Sequence, residues 1–280
     1  MCIRDSLRAF RLVQDNLRDP AGLPISVRLL CEAHRLLLNG ARGNGKQPGE
    51  LRRSQNWIGG TRPGNAAFVP PPAERVADLL ADVERFIHAD SVATPALPPL
   101  VKIALVHAQF ETIHPFLDGN GRIGRLLIAA LMEHWRLLPE PLMYLSGYLK
   151  RHQSAYYRQL SAIRTQGDWE GWVSFFLEGV AAAASEAERG IVAIASLIAA
   201  DRRRLLASPK AGPASYRLFE ALPMMPRFTI ELARQALNTS FPTANAAVKL
   251  LGDLGIVSEL TGQKKNRSYS YQAYIELMAH

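Results

Sequence analysis

Cysteine is nearly missing from this chain. Among 280 residues only Cys2 and Cys31 occur, far apart. They support neither a disulfide framework nor a cysteine metal site, and a reducing cytoplasm is the expected setting. No uncharged apolar run reaches membrane-spanning length, so no membrane partner is expected. The opening, Met1-Cys2-Ile3-Arg4-Asp5-Ser6, has no apolar signal core. There are no internal repeats or low-complexity tracts, which excludes a solenoid or fibrous architecture. A GxxxxGK[ST] loop is absent as well, so any phosphate site is not of the Walker kind. What remains is ordinary for a globular protein: 48% hydrophobic and 21% charged, in a chain long enough for one large domain or a large one and a small one. The net charge of +8 allows a polyanionic partner without requiring one.

One stretch stands out: His114-Pro115-Phe116-Leu117-Asp118-Gly119-Asn120-Gly121-Arg122-Ile123-Gly124-Arg125. Gly119 and Gly121 bracket Asn120, which lets backbone N–H groups approach a ligand closely. Ile123, Leu126, Leu127, Ala130 and Leu131 follow at helical spacing. The stretch is thus a loop that opens a helix, where free N–H groups and the positive dipole end make an anion site. Arg122 and Arg125 share one face of the first turn, and their guanidinium forks suit phosphate oxygens. Asp118, beside a polyphosphate, is the natural oxygen ligand for magnesium. His114 alone in the stretch titrates near neutrality and is the candidate general base. The combination points to phosphoryl or nucleotidyl transfer.

The stretch resembles the Fic signature, HPFx[DE]GNGRxxR, at every defined position. The resemblance covers roughly Leu23 to Val180 and implies transfer of AMP from ATP to a hydroxyl (Tyr, Thr or Ser) of a target protein. It implies His114 as base and Asp118 as the Mg2+ ligand. It places Gly119, Asn120, Gly121, Arg122, Gly124 and Arg125 around the phosphates, with Phe116 anchoring the loop. Tyr156 and Tyr157 are implied near adenine. A hairpin ahead of the signature, the flap, would hold the target backbone through Thr61, Gly64, Asn65, Ala66, Phe68 and Val69. Removal of AMP is the alternative reaction the family implies. An inhibitory [ST]xxxE[GN] helix, whose glutamate would pair with Arg125, has no counterpart ahead of this core. The chain therefore reads as one that starts inside a longer protein, with Arg125 free.

The fold class expected is mostly α: a Fic-type helical core with a small β-hairpin flap, then a C-terminal winged helix-turn-helix. Residues 1–22 read as an N-terminal helix cut short, 23–207 as the Fic domain and 208–280 as the winged domain. Helices are expected over 24–39, with Pro24 in the first turn, then 73–90, 97–113, 145–164 and 169–206. Gly40 to Gly49 is a break, and so are Pro139 and Pro141. Ser54–Ile58 and Ala66–Val69 read as two short strands around Gly59–Asn65 turn chemistry. An exposed hairpin edge can take an extended segment by strand addition. His107 reads as a core or supporting histidine, and Glu111 gets no role. Ser208–Pro213 is the linker. After it come helices at 216–222, 229–237 and 243–254, and a hairpin of Ile256–Leu260 with Ser268–Tyr271. Thr243, Asn245 and Lys249 point outward from the third helix, and Lys264, Lys265 and Arg267 tip the wing, so DNA is an allowed partner. Arg202–Arg204 read as a solvated helix end. A DNA-binding regulator whose core only senses nucleotide is the alternative of another class, and a homodimer is allowed.

Overall fold

The computed structural model describes residues 3–38, 45–89, 97–138, 143–263 and 266–279. The Gly-rich break at 40–44, the prolines at 139 and 141, and the wing-tip lysines at 264 and 265 lie outside the described residues. The chain divides into two units, Met1–Ala184 and Ser185–His280.

The first unit holds α1 (Ile3–Arg18), α2 (Val27–Leu37), α3 (Val76–His88), α4 (Pro99–Ile113), α5 (Asn120–His134), α6 (Leu145–Arg151), α7 (Gln153–Gln166) and the start of α8 (Trp169–Leu206). Their apolar stripes meet in one core, in which Leu29, Leu80, Phe110, Leu127, Leu160 and Phe176 are buried. Each such side chain contributes roughly 1.5–3 kcal/mol by leaving water. α4 is apolar almost all round, as a central helix must be, and it also buries two polar residues, His107 and Glu111. α5 lies directly on it. A Cβ added at Gly124 would stand 2.7 Å from Glu111 Oε1 and 3.2 Å from His107 Cε1, so a larger residue there would displace both side chains from their present places. Trp172 is fully buried, and its indole N–H donates to the Ala104 carbonyl at 2.9 Å.

Three local expectations change. Ser26, not Pro24, opens α2: its hydroxyl accepts from the Leu29 N–H, which is the N-cap bond. The helix expected over 145–164 is broken at His152 into α6 and α7. The flap hairpin is present but pairs through a single bridge, Ile58 with Phe68. Its turn takes the bonds a ladder would need. Asn65 Oδ1 accepts from the Thr61 and Arg62 N–H groups, Pro63–Asn65 forms a 3-10 turn, and side-chain bonds of this kind compete with strand pairing.

The second unit holds the end of α8, then α9 (Pro213–Ala221), β1 (Arg227–Thr229), α10 (Ile230–Leu237), α11 (Phe241–Asp253), β2 (Ser258–Glu259), β3 (Ser268–Ser270) and α12 (Gln272–Ala279). The antiparallel sheet runs β1-β3-β2, with Phe228 and Glu259 both opposite Tyr269. Thr229 and Ser240 cap α10 and α11, and Asn238 turns between them at φ 46°. The unit has its own core, including Leu205, Leu218, Phe228, Val248, Leu251 and Tyr271. The Tyr271 hydroxyl donates to the buried Asp201 carboxylate at 2.7 Å. Arg202 pairs with Glu220, and Arg204 with Asp201, so these two arginines of the basic run close ion pairs at the helix end.

Candidate active site

The central loop is shaped by four side chains. α4 ends at Ile113, and His114 follows in the left-handed region at φ 50°, ψ 61°. That conformation costs energy for a non-glycine residue, so something must hold it. Arg52 does so from behind. Its backbone N–H donates to the Pro115 carbonyl at 2.8 Å. Its buried guanidinium donates to the carbonyls of His114 (2.9 Å), Ile113 (3.3 Å), Ser54 (3.2 Å) and Pro71. Asn120 clasps the loop from inside: Oδ1 accepts from the Phe116 N–H at 2.8 Å and Nδ2 donates to the Phe116 carbonyl at 2.7 Å. Phe116 is buried and stacks on His34 at 3.9 Å. His34 Nδ1 accepts from the Gly49 N–H at 2.9 Å, so Nε2 carries the proton and donates to the Asp118 carbonyl, also at 2.9 Å.

Gly119, at φ 84°, then turns the chain into α5. The first-turn N–H groups of Asn120 and Gly121 have no acceptor one turn earlier in the helix, the usual condition at an N-terminus. Arg122 and Arg125 rise from the same turn, half-buried. Asp118 is about half exposed; its Oδ1 accepts from the Gly119 N–H at 2.6 Å and its Oδ2 lies 3.6 Å from Arg122.

Electrostatically the site is unusual. Burial lowers the His114 imidazole to about 4, with Arg164 and Arg52 pushing the same way and the Glu111 carbonyl and Asp118 opposing. The ring is therefore neutral at pH 7, with one nitrogen free to accept a proton. Glu111, almost fully buried, is pushed up to about 7 by burial, against the pull of Arg125 and Arg164. His107, lowered to about 4 by burial, bonds the Gly124 carbonyl through Nδ1 and the Tyr156 hydroxyl through Nε2.

The fold brings together His114, Asp118, Gly119, Asn120, Gly121, Arg122 and Arg125. Three expectations need revision. The Asn120 side chain is buried and spent on the loop, so only its backbone N–H faces a ligand site. Gly124 is buried against Glu111 and His107, where its bare Cα serves helix packing. Tyr156 is a core residue, buried with its hydroxyl on His107, so its ring offers no free face to a base; Tyr157 stays exposed. Of the flap residues, Thr61, Gly64, Asn65 and Val69 are exposed. Phe68 is half-buried under the Arg164 guanidinium, 3.7 Å from its ring centre. His34, Arg52, Glu111 and Arg164 escape a reading of the sequence because each lies outside the signature and acts through tertiary bonds. The pattern missing ahead of the core does occur at Ser174-Phe175-Phe176-Leu177-Glu178-Gly179. It lies on α8, where exposed Glu178 accepts from Ser174 at 3.3 Å.

A helical core here presents an imidazole and two guanidiniums at a glycine-opened helix N-terminus, the donor set that a phosphate group calls for. Residues 24–132 match the family model for the Fic/DOC family, and the chain carries a Fic/DOC domain. It is 30% identical over 156 residues to the protein adenylyltransferase Fic of Drosophila erecta, covering 56% of this chain and 28% of the fly protein. It is 32% identical over 124 residues to the protein adenylyltransferase fic-1 of Caenorhabditis briggsae, covering 44% of this chain and 22% of the worm protein. The chain thus spans less than a third of these relatives' length. Among solved structures, its fold is similar to that of a Fic family protein from Desulfovibrio desulfuricans, with a TM-score of 0.56 and 24% identity over 95% of this chain and 73% of that one. It is also similar to a fragment of Fic-1 from C. elegans, with a TM-score of 0.52 and 24% identity over 67% of this chain and 50% of that one. Among the described residues no helix is long and apolar enough to cross a membrane.

Proposed function

We propose that this protein transfers AMP from ATP to a hydroxyl side chain of a target protein. The observation that carries the reading is the neutral, mostly buried His114 held beside the first turn of α5. In the proposed step the target hydroxyl attacks the α-phosphorus. The new O–P bond forms, the bond to the β-phosphate oxygen breaks, and pyrophosphate leaves. The hydroxyl proton passes to the free nitrogen of His114. Arg122, Arg125 and the first-turn N–H groups hold phosphate oxygens, where fixed donors do most of the work of phosphoryl transfer. Asp118 is the residue suited to Mg2+. A half-exposed carboxylate whose Oδ2 is held only loosely by Arg122, at 3.6 Å, fits an ion that takes the rest of its shell from phosphate and water, and among the described residues no cluster of three metal-ligating side chains competes with it. Bound there, magnesium supplies charge neutralisation on the phosphates. The flap, tied to α4 and α7 through Phe68 and Arg164, is the candidate holder of the target backbone.

The test is incubation of the chain, alone and in lysate, with α-labelled ATP, followed by mass spectrometry for an AMP adduct. Label on protein that disappears in His114→Ala, where loss of a general base costs about 10²–10⁴-fold in rate, supports the reading. Absence of transfer under all conditions refutes it. For the second unit we propose a winged helix-turn-helix in which α11 and the wing meet nucleic-acid phosphates. Supporting it, Arg267 donates to Asn245 of α11 at 3.5 Å and lines one cavity with Lys249. DNA affinity of the full chain that falls steeply with added salt is the expected result.

A further inference from the structure

Two buried polar side-chain atoms in the described residues have no hydrogen-bond partner: Glu111 Oε1 and His114 Nδ1. They belong to neighbouring side chains. Glu111 Oε2 lies 4.0 Å from His114 Nδ1. Orphaned buried polar atoms are rare and costly; here Oε1 lies over α5 beside Gly124, and Oε2 is the carboxylate oxygen nearest the orphaned Nδ1. The imidazole keeps 18% of its side-chain surface exposed, while Nδ1 is covered. Its open side therefore lies away from Nδ1. The Glu111 carbonyl near that nitrogen is shared with Arg164 Nη2 at 3.2 Å, and the Glu111 carboxyl is the titratable partner within reach of Nδ1.

We propose that Glu111 is a positioning residue that selects the tautomer of His114. When ionised, the carboxylate accepts the proton of Nδ1–H and leaves Nε2 as the basic nitrogen. When protonated, the carboxyl O–H donates to Nδ1, the ring proton sits on Nε2, and the imidazole cannot take a proton from a substrate. The 4.0 Å gap is that of an open site, and such bonds tighten when substrate arrives. The groups facing Glu111 are all identified: His114 in the loop, Arg125 on α5, Arg164 and the Tyr156 hydroxyl on α7, and His107 one turn back on α4. Arg52, Arg164 and Asp118 face His114. Burial holds the carboxyl near 7, so the switch falls within the physiological range, well above the imidazole's own titration.

This inference rests on adenylyl transfer as the reaction only for its kinetic arm. In the full chain with ATP and magnesium, the transfer rate should rise about tenfold per pH unit below about 7 and level above it. Glu111→Gln, whose amide oxygen accepts from Nδ1–H at any pH, should lose that step and run flat from pH 5.5 to 9. The second arm needs no activity. With 15N-labelled histidine, the His114 ring nitrogens of the unmutated chain should report a change from Nε2–H to Nδ1–H through the same range while the ring stays neutral. The Gln variant should show no change. An unaltered pH step in Glu111→Gln, or a constant His114 tautomer from pH 5.5 to 9, overturns the proposal. A chain that transfers no AMP yet shows the tautomer change refutes the reaction and keeps Glu111 in this role.

Discussion

Single side chains in the site are tuned by burial more than by charge. His34, His107 and His114 are all held below the usual 6.5, and desolvation is the largest cause for each. The sign of the consequence follows from linkage. A histidine lowered in the folded state binds fewer protons than in the unfolded chain, so its contribution falls as pH drops through 6.5 toward 4. Glu111 works oppositely: raised from 4.5 to about 7, it loses stability as pH climbs through that window. Three histidines outweigh one carboxyl. The melting temperature should therefore fall on acidification from pH 6.5 to 4.5, and fall more steeply in Glu111→Gln, as scanning calorimetry would read. A flat or opposite trend would contradict the burial of these rings. Arg125 has a different job. If it holds the outer phosphates from the start of α5, as proposed, Arg125→Ala should weaken ATP more than AMP in titration calorimetry; equal losses would remove that placement.

Between elements, the joint that matters is the one joining α4, the flap base and the start of α5. Arg52 is 2% exposed and gives its donors to four carbonyls around the left-handed His114 turn. Arg52→Met leaves those carbonyls without a donor in a buried place. Each buried group left unsatisfied costs about 1–3 kcal/mol, so a total loss of about 3 kcal/mol or more is expected in urea unfolding. Arg53→Ala, at an exposed neighbour, should stay within about 0.5 kcal/mol. If the two variants matched, Arg52 would not be holding the loop. His34 plays a similar part from α2, joining Gly49 to the Asp118 carbonyl. Asp118 and His114 are thus steered by residues distant in the chain.

Among the described residues there are two cores, not one, built from separate sets of side chains. Trp57, Trp135, Trp169 and Trp172 are the chain's four tryptophans, and all belong to the first unit. Tryptophan fluorescence therefore reports that unit alone, while circular dichroism reports both. The two probes should give different urea midpoints. Phe228→Ala, which empties a fully buried place in the second core, should cost about 3–5 kcal/mol there and move only the dichroism curve. Coincident transitions that shift together would mean the units unfold as one.

Much of this was legible from the chain. The helix-opening loop, its base, its arginines and its carboxylate are contiguous, so their chemistry is local and shows in residue order. Helices over 97–113 and 169–206 were legible because long periodic stripes outlast errors at their ends. Among the short elements, the flap hairpin and the β2–β3 hairpin were legible through their turn residues, whereas β1, three residues long, was not, being too short for a period to appear. Nor could order along the chain tell which glycine is left open at the helix start and which packs one helix on another. Gly124 and Gly121 look alike in sequence, but a Cβ at Gly124 would stand 2.7 Å from Glu111 Oε1 and 3.2 Å from His107, and one at Gly121 would stay 3.8 Å from Glu111. The roles of Tyr156, His34, Arg52 and Glu111 depend on burial and on partners up to 84 positions away, as in the His34–Asp118 bond. The residues that carry the chemistry are written side by side because they share one turn. Those that aim it are scattered because they act through the packed interior.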